Sequence, residues 1–398
     1  MASARLSAER WRELSGENNW EGLLDPLDYD LRCSIINYGD RAAAIGNAYN
    51  DKKFSDCRGF SRYPPEDFFS KVGITNRSPF DYTLTDFIYS RLEDNVFHWD
   101  SEPLSTWCAY VAVATDEGKA KLGRRDIVVS WRGTTLKVEW HRDLEAIPFI
   151  ASDLFGVHVP LPLVHYGFHS LYTSKDQNST YNKTSAREQV LAAVRKLVDQ
   201  YKDEEVSITI TGHSLGSPLA TLNAVDIAYN GYNKPTGEPN KSFRVTAIVF
   251  ASPRVGDSGF KKIYDDLKDV RVLRVTNAMD PIPDLPPIAV HVGENLPIDT
   301  RESQFLKSDV SPHNLDVYCH GVAGTQGSKG GFNLEVPLDI ALINKAADGL
   351  KDEHNYNIPA KWWVEENKGM AVNKDGTYTV QFYVPDPPTV PLNELEAK

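Results

Sequence analysis

The chain has 398 residues, 41% apolar and 25% charged, the balance of an ordinary globular protein rather than a disordered or fibrous one. A formal net charge of -12 is scattered without a polybasic block, so nothing draws the chain electrostatically to nucleic acid or an anionic membrane. No run reaches the ~18 apolar residues of a spanning helix.

Taken in chain order, Met1-Ala-Ser-Ala-Arg-Leu-Ser-Ala-Glu-Arg lacks the apolar core of a secretory signal, and a cytoplasmic location is expected. Cys33, Cys57, Cys108 and Cys319 lie far apart without metal-ligand spacing, which fits idle thiols in a reduced compartment. The sequons at Asn178, Asn182 and Asn240 carry little meaning in such a chain. Apolar residues at Leu31, Ile35, Ile36, Ala42 and Ile45 predict helix near the start, and residues 1–105 are expected to form a helical N-terminal extension.

From Tyr110 the pattern changes to β-branched runs at Tyr110–Ala114, Ile127–Trp131, Val206–Thr211, Val245–Phe250 and Val270–Val275, which read as central strands. Between them, Ala186–Tyr201 places Val190, Leu191, Val194, Leu197 and Val198 at helical spacing. Strands alternating with helices predict a mostly parallel sheet covered on both faces, with a core over residues 106–330. Asp375-Gly376 between two extended runs predicts a β-hairpin in a C-terminal extension over 331–398.

Gly212-His213-Ser214-Leu215-Gly216 fits G-x-S-x-G, a pattern that a chain of this length meets by chance about one time in ten at average composition. A strand directly before it and a helical run directly after it make it a nucleophile elbow of an α/β-hydrolase fold. Gly212 and Gly216 leave room for the backbone of a strained turn, and the turn presents the Leu215 N–H to a developing oxyanion. A serine hydroxyl needs a histidine to take its proton and an acid to orient that histidine, in the chain order Ser, acid, His.

Asp280, at the end of the Val270 strand, is the expected acid; Asp284 lies in a proline-rich loop and Asp226 deep in the helix after the nucleophile. His313, where a long loop enters a short helix, is the expected base, with His320 as runner-up. His291 follows the acid too closely, and His354 lies in a charged stretch. The second oxyanion donor is expected at Thr134, after Gly133 at the end of the Ile127 strand. The broken apolar segment from Ile147 to Pro160 is a candidate lid, with Ile147, Phe149, Ile150, Leu154 and Phe155 forming an apolar face.

On these motifs the sequence resembles the class 3 lipases, and within them the plant phospholipase A1 group. The resemblance rests on G-H-S-L-G at 212–216, R-G-T at 132–134, N-x-x-D-P-x-P at 277–283 and H-N-L-x-x-Y at 313–318, and extends to Asn18–Asp28 and Trp362–Met370. It implies hydrolysis of the sn-1 acyl ester of a glycerophospholipid at a micelle or membrane surface, without metal or cofactor. Mono-, di- and triacylglycerols and galactolipids are the alternative substrates, and a catalytically idle lipase-like signalling protein is the alternative from another class. Ser217-Pro218 departs from the small apolar residues that many relatives carry there. The oligomeric state stays open.

Overall fold

The computed structural model describes residues 8–50, 57–91, 105–133, 147–307, 310–338 and 343, with two short strands at 370–372 and 378–380. Its frame is a seven-stranded sheet of β1 (Tyr82–Arg91), β2 (Ser105–Ala114), β3 (Arg125–Trp131), β6 (Val206–His213), β7 (Arg244–Phe250), β8 (Val270–Asn277) and β9 (Glu294–Ile298), in that spatial order. A two-stranded ribbon of β4 (Pro148–Ile150) and β5 (Leu163–His165) lies apart from it. The strands from β3 to β9 run parallel, while β1–β2 and β2–β3 are antiparallel. This is the mostly parallel sheet of an α/β-hydrolase.

Side chains alternate between the two faces of each strand, and the layers follow from that alternation. Val245, Ala247 and Val249 of β7 enter a core shared with α3 (Tyr166–Thr173), α4 (Ala186–Gln200), α5 (Gly216–Tyr229) and α6 (Ser258–Asp266). Ile248 and Phe250 point the other way, into a core shared with α1 (Tyr29–Ala48) and α7 (Leu315–Gly324). Helix α4 starts on a capping box in which Ser185 and Glu188 satisfy each other's backbone N–H. Helix α1 is capped by the Asp28 carboxylate.

The N-terminal region differs from the expectation of a helical extension packed on a finished core. Besides α1 it supplies β1, a ten-residue strand paired along β2, and α1 is itself one of the layers covering the sheet. At the other end β10 (Met370–Val372) pairs antiparallel with β11 (Tyr378–Val380), the register of a hairpin; Asp375 and Gly376 lie outside the described residues.

Parallel order has a geometric consequence: β6, β7 and β8 all end on the same edge of the sheet. Ser214, the loop after Phe250, and Asp280 therefore emerge side by side.

Candidate active site

Strand β6 stops at His213 and α5 starts at Gly216, so the chain turns within two residues. Ser214 takes φ +54°, in the left-handed region that a side-chain-bearing residue avoids, at a cost of roughly 1–3 kcal/mol. The surroundings over-determine that conformation. Ser214 N–H donates to Phe250 O at 3.0 Å, Ser217 N–H donates to Ser214 O at 2.9 Å, and the one hydroxyl hydrogen of Ser217 is shared between Gly212 O at 2.8 Å and Phe250 O at 2.7 Å. The departure from apolar residues at position 217 thus places a hydroxyl that staples the elbow to both β6 and β7. A Cβ on Gly212 would fall 2.9 Å from Ser217 N, and one on Gly216 would fall 2.8 Å from the Trp131 carbonyl carbon, so both positions need glycine for close approach.

The three side chains expected to act together are brought together. His313 Nε2 lies 2.8 Å from Ser214 Oγ, and His313 Nδ1 lies 2.7 Å from Asp280 Oδ2. The ring therefore donates from Nδ1 to the carboxylate and accepts at Nε2, the tautomer a general base requires. Burial of Asp280 works against its charge. Hydrogen bonds from His313, from Tyr318 Oη at 2.6 Å and from Ile282 N–H at 3.0 Å outweigh it and hold the carboxyl below its ordinary pKa.

Three supports of this arrangement were not identified from sequence as contacts. Tyr318 stands in the first turns of α7 and reaches the acid, while burial and the adjacent Asp280 charge keep its phenol protonated. His213 Nε2–H donates to the backbone carbonyl of His313 at 2.7 Å, with the two rings 4.9 Å apart. Burial, reinforced by the neighbouring imidazole, pushes the His213 pKa down to about 3, so it stays neutral and remains a donor. Asn277 joins the end of β8 to the same loop, donating to Pro312 O at 3.0 Å and Thr300 Oγ1 at 2.9 Å. The signal for Tyr318 was present in the H-N-L-x-x-Y spacing, five residues after the base.

The residues set aside are occupied otherwise. Asp226 is fully buried in a two-pronged ion pair with Arg187, at 2.6 and 2.9 Å. Asp284 is exposed, 3.6 Å from Arg254. His320 is buried with Nε2 2.7 Å from Ser303 Oγ, and burial lowers its pKa to about 4. His291 sits between Arg254 and Arg274. His354 lies outside the described residues. Asn182, one of the sequons, is buried and donates to Tyr89 O, which leaves no room for a glycan.

Of the two expected oxyanion donors, Leu215 N–H stands at the N-cap of α5 with no acceptor among the described residues, where the helix dipole favours negative charge. Thr134 lies outside the described residues, but Gly133, which precedes it, is in place. A Cβ there would approach His213 O to 2.8 Å, so this loop lies against the residue before the nucleophile.

The lid expectation needs correction. Ala151 N–H bonds Pro162 O, and α2 (Ser152–Phe155) turns Leu154 and Phe155 into the core, where Phe155 packs edge-on to Tyr229 with ring centres 5.4 Å apart. Those two side chains belong to no outward apolar face. Ile147, Phe149 and Ile150 are exposed, as are Val157, Val159 and Leu161 of the following loop. An apolar pocket of about 130 Å³ opens beside them, lined by Ile147, Val164, Val255, Pro286, Ile288 and Ala289. Its walls come from the β4–β5 ribbon and from the loops that leave β7 and β8 on the edge that carries Ser214.

A serine at a strand-to-helix elbow, hydrogen-bonded to a histidine that is hydrogen-bonded to a buried carboxylate, on a sheet of this topology, is the arrangement of an α/β-hydrolase. The family model described as lipase (class 3) matches residues 128–290. Phospholipase A1-IIgamma of Arabidopsis thaliana is 49% identical over 392 residues, covering 94% of this chain and 93% of that protein. Phospholipase A1-II 4 of Oryza sativa subsp. japonica is 46% identical over 388 residues, covering 95% and 96%. Among solved structures, the nonglycosylated LIP2 lipase of Yarrowia lipolytica is 18% identical with a TM-score of 0.47, over 79% of this chain and 94% of that one. The chain belongs to the class 3 lipases and is a carboxylic ester hydrolase.

Proposed function

We propose that the protein is a phospholipase A1, hydrolysing the sn-1 acyl ester of glycerophospholipids through an acyl-enzyme on Ser214. The observation that carries the reading is the continuous relay from Ser214 Oγ through both ring nitrogens of His313 to Asp280 Oδ2. Near-full-length similarity to plant proteins named phospholipase A1-II supports the substrate class.

In the first half-reaction, Ser214 Oγ attacks the acyl carbonyl carbon while His313 Nε2 takes the hydroxyl proton. Asp280 stabilises the imidazolium that results. The oxyanion lies against Leu215 N–H, and the second donor is the one expected from sequence at Thr134. Collapse breaks the bond to the glycerol oxygen, which leaves with the proton from His313 as the lysophospholipid alcohol. Water, deprotonated by the same imidazole, then adds to the acyl carbon; Ser214 departs with that proton and the fatty acid is released. Every proton and electron pair in these steps is handled by Ser214, His313 and water.

The exposed side chains of Ile147, Phe149 and Ile150 and the adjoining apolar pocket support a substrate that arrives from a lipid micelle or membrane surface. The test is product analysis on phosphatidylcholine labelled separately at each acyl position, beside mono-, di- and triacylglycerols and a galactolipid, with Ser214→Ala as control. Release of the sn-1 chain with 2-acyl lysophospholipid is expected. Preference for neutral glycerides or galactolipid would replace the head-group assignment, and no reaction with a fluorophosphonate at Ser214 would move the protein to a non-catalytic role.

A further inference from the structure

We propose that the loop at residues 156–161 is a fixed docking element for the surface of an electrically neutral phospholipid bilayer, with Val157, Val159 and Leu161 entering the lipid. The inference rests on the lipid-hydrolase reading above, but Ser214 and its partners take no part in it.

Residues 147–165 form one excursion from the body of the molecule. Strand β4 leaves, β5 returns beside it, and Ala151 N–H closes the pair on Pro162 O at 2.9 Å. Leu154 and Phe155 anchor the excursion in the core shared with α5 and α6, and the chain then turns outward at Gly156, whose φ of +69° favours glycine. Val157 and Val159 are 81% and 91% exposed, while His158 between them is half-buried. The one Nε2–H of His158 is shared between Phe155 O at 2.7 Å and Tyr229 Oη at 2.8 Å, and Tyr229 in turn donates to Phe155 O. At the far end Leu161, 41% exposed, rests its carbonyl against Gly259 in the first turn of α6. The loop is thus held at both ends with its apolar side chains turned to solvent.

Apolar residues scattered singly over a surface are ordinary, but a cluster of them marks a face that something covers. Of nine large apolar side chains exposed among the described residues, six lie in this one excursion. Ile288 is a seventh and lines the same pocket as Ile147, so the patch is continuous with that pocket. Tyr29, at the start of α1, stands on the other side of the sheet. Charge selects the occupant. Residues 147–165 hold no lysine or arginine, and their one carboxylate, Asp153, is bonded to His169 Nε2 at 2.8 Å. With a net charge of -12 and no basic anchor in this stretch, an anionic leaflet repels the protein and a zwitterionic one does not. A protein partner would need a rim of polar groups to fix its register, which valine, proline and leucine do not provide. Because the loop is already ordered, its transfer into lipid loses little conformational freedom, and burial of the side chains that water now surrounds drives it.

The test uses the full chain carrying Ser214→Ala, so that the lipid stays intact, and reads binding by co-sedimentation with phosphatidylcholine vesicles. Burying one valine side chain is worth about tenfold in partition, so Val157→Ser with Val159→Ser is expected to weaken binding on the order of 10²-fold. Val159→Phe, which adds an aromatic ring at the interface, should strengthen it. Tyr29→Ser should leave binding unchanged, and phosphatidylglycerol added to the vesicles should not tighten it. With Ser214 restored, the serine pair should keep wild-type activity on a soluble short-chain ester and lose activity on phosphatidylcholine vesicles. Unchanged binding in the serine pair, an equal loss in Tyr29→Ser, or binding that requires phosphatidylglycerol would overturn the proposal. So would a wild-type dimer that the serine pair dissociates while vesicle binding stays, since the loop would then join two copies of this chain. Should the serine pair fail to fold, Val159→Phe decides, and no gain in binding overturns the proposal. Vesicle binding that follows these variants while wild type releases no fatty acid would support the docking loop and remove the phospholipase reading.

Discussion

Replacing Gly216 by alanine is the sharpest test of how the elbow and the oxyanion loop fit together. A Cβ at 216 would meet the Trp131 carbonyl oxygen, with the carbonyl carbons of Trp131 and Arg132 at 2.8 and 2.9 Å, well inside the 3.4–4 Å of ordinary contact. These are backbone atoms, so no flexible side chain can swing aside; either β3 or the start of α5 must shift by something approaching an ångström. Both carry the chemistry, since β3 leads into Gly133 and Thr134 while α5 presents Leu215 N–H. Overpacking of this kind costs about 1–3 kcal/mol of stability. A misplacement near 1 Å costs about 10²-fold in rate. Gly216→Ala should therefore lower the melting temperature by only a few degrees yet reduce kcat on a soluble short-chain ester about a hundredfold, with the fluorophosphonate reaction slowed to match. Active-site titration separates slow enzyme from dead enzyme. Activity within threefold of wild type would refute the claim that the two oxyanion elements are held at van der Waals limits.

Tyr318→Phe removes one of three donors to the Asp280 carboxylate, and kcat/KM should fall about tenfold, as for a hydrogen bond to a charged group worth ~1.5 kcal/mol, with KM unchanged; no loss would mean the phenol is idle. His320 has a folded pKa of about 4 against an ordinary ~6.5, so protonation favours the unfolded chain. Stability should be full above that ordinary value and decline as pH falls toward 4; at pH 5 this one group costs about 2 kcal/mol, and His320→Gln should remove about that much of the stability lost between pH 7 and pH 5, read by denaturant unfolding. An unaltered pH dependence would show that the fold does not disfavour the protonated imidazole. Phe155→Ser should destabilise the protein by about 3–5 kcal/mol through loss of a buried ring, whereas Ile147→Ser with Ile150→Ser should leave melting within about a degree and lower activity on vesicles more than on a soluble ester. Equal losses on both substrates would count against a lipid-facing surface.

How much of the fold could be read from the chain depended on burial. Strands β3, β6, β7 and β8 are covered on both faces and were legible as β-branched runs, and α4 as an apolar stripe with its cap. Strand β1 was not: Tyr82-Thr-Leu-Thr-Asp-Phe-Ile-Tyr-Ser-Arg mixes polar and aromatic residues because, as the edge strand, it is half-buried. Strand β9, at the opposite edge, contains Pro297, which a ladder tolerates only where an N–H is not needed. The lid segment shows the same limit in miniature. Hydrophobicity placed Leu154 and Phe155 with Ile147 and Ile150, but a single turn of helix sends the first pair inward and leaves the second pair outside, and composition does not encode that direction.

The site was more legible than the fold because chemistry restricts it more tightly than packing does. Ser214 could be found from two glycines and a strand-to-helix switch, and its partners from chain order together with their places at a strand end and at a loop-to-helix junction, since each must arrive at the same sheet edge. What the sequence could not supply were contacts made through space, even by residues that stand inside its motifs. His213 bonds the backbone of His313 across a separation of 100 residues, and Asn277 reaches Pro312 across 35. Neither link touches the ester, yet both fix the loop that carries the base. The base is thus tied to β6 at one carbonyl and to β8 at the preceding one, while its ring is held by Asp280. A histidine on a loop would otherwise lose reach to the serine by rotation of a few backbone bonds, so these neutral side-chain donors supply the rigidity that the loop's own sequence lacks.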